Sequence, residues 1–264
     1  MSTPFQTPRS QPVGQPCRKP LYLTGSEPKE VRARPSSLWI RGQGTTVNLP
    51  LSRLDRIVSG RWVCWHSDAI CLCLTHGIPI TWVAADQQAA GTALPARQRC
   101  SPLHDALEIH VQRPDWQTRH DNWLAHRRME VLLTWHGRMH AAGRRVSESA
   151  FRQLKRDYVG RHLLPGRFLD EGHAWCHSLV CSHLLDEGVE ATYWGFNGQS
   201  LELATDIADL FWAEMNLCCG TLPAQVEAGV EAIALFESWG RRHEVRIRHH
   251  LGDLLRHVQG ENRS

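Results

Sequence analysis

The stretch YWGFNGQSLELATDIADLFW, from Tyr193 to Trp212, carries the pattern on which the interpretation of this chain depends. A Gly-Phe turn and a short loop lead into a helical run that holds Asp206 and Asp209. Side chains three residues apart share a helix face, so we expect both carboxylates to point into one pocket. Two oxygen ligands on a rigid helix suit a hard divalent ion such as Mg²⁺ or Mn²⁺, although the pair alone also fits a solvated helix face. The side chains expected on the opposite, buried side are Ile207, Leu210 and Phe211.

The composition is that of an ordinary globular protein with enough chain for one or two domains. Its 264 residues are 42% hydrophobic and 22% charged, and the formal net charge is only +3, so a nucleic-acid-binding surface would have to be local. No apolar run reaches the roughly 18 residues of a membrane span, and the N-terminus lacks an apolar signal core. Nine Cys without a CxxC pair favour a reducing compartment, and we expect a cytoplasmic protein.

The first part of the chain predicts a tail followed by a sheet domain. Residues 1–20 hold five prolines among Ser, Thr and Gln, which is typical of a disordered tail. Residues 21–84 alternate short β-type runs with turn residues and predict a small N-terminal β-domain, with a hairpin at Gly42–Gly44 and a short helix over Asp68–Thr75. The candidate strands are Leu21–Thr24, Leu38–Arg41, Thr45–Leu49, Arg56–Ser59 and Ile78–Val83.

The second part of the chain predicts helices. Residues 85–114, rich in Gln, Ala, Gly and Pro, are interpreted as a linker, and residues 115–264 as a helical domain. Gly172–Glu187 predicts an amphipathic helix that Gly188 ends. The predicted fold class is therefore α+β, a small N-terminal β-domain followed by an all-helical C-terminal domain.

A basic segment from Arg113 to Phe168 holds twelve Arg or Lys against five Asp or Glu. Such a one-sided excess, interleaved with Trp and His, favours contacts to nucleic-acid phosphates over a merely soluble helix face. The candidate DNA-binding residues are Arg127, Arg128, Arg144, Arg145, Arg152, Lys155 and Arg156.

Several short motifs occur in the order typical of one family. LYLT begins at Leu21, a hairpin follows, and LPLSRLDRIVSG and then HSDAICLCLTHGIPITWV lead to Val83. Together with the Gly-Phe turn and the DIADLF run, this order resembles the universal CRISPR-associated spacer-acquisition integrase, the endonuclease of the adaptation module. The resemblance implies a β-domain that forms a homodimer and a helical domain that binds double-stranded DNA.

The resemblance also implies a metal-dependent site that inserts spacer DNA into the CRISPR array during antiviral defence. The family uses a Glu on an earlier helix, a His just after the Gly-Phe turn, and the Asp pair. Here Asp206 and Asp209 match, Asn197 stands near the His position, and Glu148 is the nearest acidic candidate for the Glu. Another alignment puts Lys155 at the Glu position. A small ferredoxin-like second adaptation protein is the implied partner.

Two other functions remain open from the residues. Lys155 and Asn197 would mark a catalytically inactive DNA-binding or scaffolding paralogue of the integrase. A zinc-binding regulator is the third hypothesis, because His residues four apart on a helix can share an ion. The predicted helix Gly172–Glu187 resembles the core helix of the integrase family. We therefore expect its thiols and imidazoles to pack in the core or beside the cleft. These residues are His173, Cys176, His177, Cys181 and His183.

Overall fold

The structure is a computed structural model that describes residues 18–96, 101–163, 172–190, 193, 201–219 and 230–261. Over these ranges two small sheets come first and helices follow, which confirms the predicted α+β class. Among the described helices, none combines the length and the apolar character that crossing a membrane requires.

The first sheet has four strands, three of which run parallel. Strand β1 (Lys19–Leu23) pairs with β5 (Leu54–Ser59), β5 pairs with β7 (Ile80–Val83), and β8 (Ala89–Ala93) closes the sheet antiparallel to β7. Strand β5 is buried at five of its six residues. Burial on both faces is typical of a parallel strand that other elements cover on each side.

The second sheet is built around a hairpin. Gln43 and Gly44 have φ values of 44° and 75°, as a two-residue turn between twisted strands requires, and this confirms the predicted hairpin. In sheet order the strands are β4 (Thr45–Pro50), β3 (Ser37–Gly42), β2 (Lys29–Arg34) and β6 (Val63–Trp65). Strand β3 pairs antiparallel with both β4 and β2, and β6 runs parallel to β2.

The two sheets and helix α1 (Ser67–Thr75) enclose a small core of their own. Val31 and Leu38 from the second sheet meet Ile57 and Ile80 from the first, and all four are fully buried. In β2 and β3 the buried residues stand between partly or fully exposed ones, whereas β5 and β7 are buried along most of their length.

The helices bury a larger core, which also takes in Val58 and Val83 of the first sheet. The helices after α1 are α2 (Pro102–Val111), α3 (Trp116–Ala141), α4 (Glu148–Leu154), α5 (Gly172–Asp186), α6 (Leu203–Cys219) and α7 (Val230–Glu261). A π-helical turn over Lys155–Gly160 continues α4.

Helix α5 is the centre of this core. It packs against β5, β7 and β8 on one side and against α6 and α7 on the other. The sequence predicts an amphipathic helix here, but every residue from Gly172 to Cys181 is buried. A helix covered by a sheet and by other helices has no solvated face, so its apolar stripe extends around the whole circumference. The helix ends at Asp186, and Gly188 just beyond it has a positive φ of 70°, which fits the predicted glycine stop.

A buried cation links the first sheet to α7. Arg56 on β5 is 3% exposed and donates to Glu237 Oε1 at 2.6 Å, and Tyr22 on β1 donates to the same carboxylate. The Tyr22 ring also meets Trp175 of α5 edge to face, with centroids 5.6 Å apart. Breaking either partner of this buried pair would leave an uncompensated charge, so the link constrains how sheet and helices sit together.

Three regions differ from the sequence-based boundaries. The predicted linker, residues 85–114, contains strand β8 and helix α2, so the first sheet extends past residue 84. The sequence-based prediction lacks strands β2 and β6, because four of the six β2 residues are charged and β6 has only three residues. The predicted tail lies outside the described residues up to residue 17, and β1 begins at Lys19.

Candidate functional site

Helix α6 presents the acidic pair in its first turns. The side chains of Asp206 and Asp209 are 18% and 26% exposed, so both carboxylates are partly buried and keep some access to solvent. The residues predicted on the buried side of the helix, Ile207, Leu210 and Phe211, are all fully buried. This apolar face fixes the helix, and the fixed helix holds the two carboxylates one turn apart.

Helix α3 supplies a histidine to the first carboxylate. His120 Nε2 lies 2.8 Å from Asp206 Oδ2, and the imidazole side chain is only 6% exposed. The ring stacks on the indole of Trp123, with centroids 5.5 Å apart and planes 29° apart. Its other nitrogen, Nδ1, is buried without a hydrogen-bond partner among the described residues.

Helix α5 supplies a histidine to the second carboxylate. His173 Nε2 lies 2.8 Å from Asp209 Oδ1, and its Nδ1 is also buried without a described partner. The preceding residue, Gly172, lies so close to α6 that a Cβ there would be 2.3 Å from Cζ3 of Trp212. Glycine is therefore what allows the start of α5 to approach α6 closely enough for this hydrogen bond.

Each carboxylate keeps one oxygen, Asp206 Oδ1 and Asp209 Oδ2, with no hydrogen bond to any described residue. In the described ranges no three His, Cys, Asp or Glu side chains are grouped to hold one ion. Mg²⁺, however, is often held by one or two carboxylates together with waters and substrate phosphates, and the ligating carboxylates are themselves hydrogen-bonded. The acidic pair with its two imidazoles fits that part of a metal site.

Two side chains near Asp209, His177 and Tyr158, are buried, although Asp209 itself is partly exposed. Burial, helped by nearby His173 and opposed by Asp209, lowers the pKa of His177 to about 4, so this imidazole is neutral at physiological pH. Burial likewise raises the pKa of Tyr158, with Arg128 opposing the shift and Asp209 adding to it. The Tyr158 hydroxyl has no hydrogen-bond partner within the described ranges.

Solved structures resemble this arrangement of sheets and helices. A CAS1 protein from Thermotoga maritima superposes with a TM-score of 0.67 at 14% identity, over 92% of this chain and 97% of that chain. The chain has the Cas1 fold. A TtCas1–DNA complex gives a TM-score of 0.57 at 15% identity, over 91% of both chains. A casposase bound to integration product gives 0.52 at 12% identity, over 79% of this chain and 74% of that chain.

The sequence comparisons find no such likeness: no family model matches the chain, and no curated protein matches it. The Cas1 fold is therefore visible in the arrangement of the elements and in short motifs rather than in overall identity.

Two of the four predicted catalytic residues come together within the Cas1 fold, and two do not join them. Glu148 opens α4, is 77% exposed and pairs with Arg152 one turn away, and it is not grouped with Asp206 and Asp209. Lys155, the other candidate at this position, is exposed at the start of the π-helical turn. Asn197 lies outside the described residues.

The predicted DNA contacts divide into two groups. Arg127 is 3% exposed and is held between Asp253, at 2.8 Å, and Glu130, so it serves the interior of the protein. Arg128 is 5% exposed, and its buried Nη1 has no partner in the described part of the chain. The exposed members, which remain available for phosphate contacts, are Arg144, Arg145, Arg152, Lys155 and Arg156.

The histidines and cysteines of α5 lie in the core, as expected. Burial raises the pKa of the Cys176 thiol well above its ordinary value, and it raises that of Cys181 to about 12. Both thiols therefore stay protonated, which does not favour the thiolate form that zinc binds. His177 lies 3.5 Å from Cys181 Sγ, one turn further along the helix.

Sequence reasoning missed His120 and gave His173 no partner. His120 lies 86 residues before Asp206, and no motif links them. The sequence predicts His173 in the core or beside the cleft with the other histidines of α5, but it does not name Asp209 as its partner. The available signal is Gly172 just before His173, because a glycine permits the close approach of another element.

Proposed function

We propose that this protein binds double-stranded DNA and inserts spacer DNA into a CRISPR array, as a strand-transferring integrase of the adaptation machinery. The observation that carries the proposal is the pair Asp206 and Asp209, each hydrogen-bonded to a buried histidine and partly exposed within a Cas1 fold. Acting on double-stranded DNA, as a homodimer and with a small second adaptation protein, belongs to the same proposal.

The chain's own residues have three tasks in this proposal. The imidazoles of His120 and His173 each hold one oxygen of a carboxylate, and the other oxygen has no hydrogen bond to a described residue and could bind an ion. Helix α6 keeps the two carboxylates one turn apart, and the apolar packing on its far side resists displacement. The side chains of Tyr158 and His177 near Asp209 are buried, and buried neighbours lower the dielectric constant in which its carboxylate interacts.

A divalent ion, Mg²⁺ or Mn²⁺, would be held by Asp206 and Asp209 and would polarise a DNA phosphodiester for attack by a 3′-hydroxyl or water. Carboxylate oxygens are the donors that such hard ions prefer. In the family pattern a His just after the Gly-Phe turn is a further metal ligand. Asn197, which stands near that position here, lies outside the described residues.

The exposed arginines and lysine after α3 and along α4 would contact the DNA backbone. They are the exposed members of a segment with an excess of positive charge, and phosphate contacts of this kind supply affinity without sequence selectivity. Arg127 is not included, because Asp253 and Glu130 already neutralise it.

A non-catalytic DNA-binding or scaffolding role is the second candidate function. It is favoured by the exposed position of Glu148, which leaves the acidic pair without a third carboxylate among the described residues. The DNA-binding part of the proposal is common to both candidates.

The experiment that separates the two candidates compares Asp209→Ala with the wild type in a strand-joining assay with DNA ends, an array target and Mn²⁺. Loss of a residue that hydrogen-bonds a metal ligand typically lowers activity by up to roughly 100-fold. Loss of the ligand itself should lower the rate of strand joining by more than this. Glu202→Ala is the matched control, since Glu202 is exposed and precedes the pair.

Strand transfer would be overturned if the wild type and Asp209→Ala both join DNA only at the level seen without protein. If both still bind DNA in a mobility-shift assay, that result would support the scaffolding role. If Glu202→Ala also loses joining, removal of a carboxylate just before α6 disables the protein too. That result would contradict the specific role assigned to Asp206 and Asp209.

A further inference from the structure

Asp253 on α7 is joined to the acidic site through two aromatic rings. Its Oδ2 accepts from Trp123 Nε1 at 3.2 Å and from Arg127 Nη1 at 2.8 Å, and its Oδ1 accepts from Arg256 at 2.9 Å. Although burial opposes it, the charge of Arg127 and these donated hydrogen bonds lower the pKa of Asp253, so the carboxylate is charged at neutral pH.

Trp123 transmits the position of Asp253 to the site. It lies three residues after His120 on α3, so the two side chains share a helix face. The indole is 4% exposed, and its single N–H donor is used on Asp253. With that hydrogen bond made, the indole plane is fixed, and the His120 ring lies against it at 29°.

The His120 ring depends on this support. Histidines that serve a metal or catalytic site are commonly oriented by an acceptor at their second ring nitrogen. His120 Nδ1 has no such partner among the described residues, although it is buried. Among the contacts of the described residues, the Asp206 hydrogen bond and the stack on Trp123 are the directional ones that set the plane of this imidazole.

We propose that Asp253, acting through the Trp123 indole, is the positioning residue that sets the plane of the His120 ring and thereby the oxygen of Asp206 that faces the cleft. Asp253 touches neither the acidic pair nor the cleft in this scheme; it acts through Trp123 alone. The consequence for strand joining rests on the proposed function, whereas the consequence for the His120 ring does not.

The test uses the full-length protein with ¹⁵N- and ¹³C-labelled histidine, and the ring signals of His120 are identified by their absence in His120→Gln. Trp123→Phe keeps an aromatic ring but removes the N–H, and Asp253→Asn keeps the volume but replaces one acceptor oxygen by a donor. We expect both substitutions to shift the His120 ring signals and to leave those of His173 in place.

Arg256→Gln is the matched control, because it removes a donor from the outer oxygen, Oδ1, and leaves the oxygen that Trp123 uses. It should leave the His120 ring signals unchanged. In the joining assay with Mn²⁺, Trp123→Phe should lose about 10- to 100-fold, the range typical of outer partners of a metal site.

The inference is overturned if the His120 ring signals of Trp123→Phe and Asp253→Asn coincide with those of the wild type, or if Arg256→Gln shifts them equally. Circular dichroism of each variant verifies folding, and Asp253→Asn provides the readout if Trp123→Phe does not fold. If the wild type does not join DNA, the proposed function fails, but the histidine signals still decide the positioning role.

Discussion

The two histidine–aspartate pairs have the same hydrogen-bond length but different support. His173 is placed by close packing, since α5 begins at a glycine pressed against Trp212, and the buried His177 lies one turn further on. His120 is placed by a polar relay, in which its ring stacks on Trp123 and Trp123 is held by Asp253.

This difference predicts that the two halves of the site respond to different perturbations. Close packing tolerates almost no added volume, because a protein interior has few voids. A polar relay tolerates volume changes better, but it depends on each donor and acceptor being present. The α5 half should therefore be sensitive to steric change and to protonation, and the α3 half to the loss of single hydrogen bonds.

The largest effect is expected from Gly172→Ala. The added Cβ would lie 2.3 Å from Cζ3 of Trp212, a ring that is 4% exposed and cannot move into water. Overpacking of this kind costs about 3 kcal/mol in the free energy of unfolding, and His173 should lose its hydrogen bond to Asp209. Urea denaturation and the His173 ring signals would measure both effects.

Gly137→Ala is the control for Gly172→Ala, because a Cβ at Gly137 meets no atom within 4 Å. At this position, four residues before the end of α3, alanine should raise the free energy of unfolding by up to about 1 kcal/mol. Equal stability of the two variants would show that the approach of α5 to α6 is not as close as described.

The second effect is a loss of stability in acid that originates in the α5 half. The folded-state pKa of His177 is about 4, below its ordinary value of 6.5, because burial disfavours the charged ring. As the pH falls below 6.5, the unfolded chain takes up a proton that the folded protein does not, so stability decreases until about pH 4. At pH 5 the loss from this group is about 2 kcal/mol.

Urea denaturation at pH 7.5 and pH 5 would measure this dependence in the wild type and in His177→Gln. The variant should show a smaller decrease between the two pH values, because glutamine takes up no proton. An equal decrease in both proteins would mean that groups other than His177 carry the acid sensitivity.

The smallest effect is expected from Glu148→Gln, which lies outside both halves. Glu148 is 77% exposed and pairs only with Arg152 on its own helix, so its loss should change the free energy of unfolding by less than about 0.5 kcal/mol. Strand joining with Mn²⁺ should be unchanged. A loss as large as that of Asp209→Ala would instead assign Glu148 to the site in the DNA-bound state.

The fold could be predicted from the sequence further than the site could. Local patterns identified the hairpin at Gln43-Gly44 and the helix from Gly172, because turn residues and apolar periodicity act over a few neighbouring positions. The same reasoning treated residues 85–114 as a linker, since nothing local marks β8 as the partner of β7. Strand pairing is a tertiary contact, and propensity alone does not specify it.

At the site, the sequence by itself determined that Asp206 and Asp209 share one face of a helix whose other face is apolar, because helical spacing is a local property. Only the tertiary structure decided that His120 and His173 meet these carboxylates and that Glu148 does not. The reason is physical: helices from distant parts of the chain are brought together by burial of their apolar faces, and burial is not directional enough to be read from spacing.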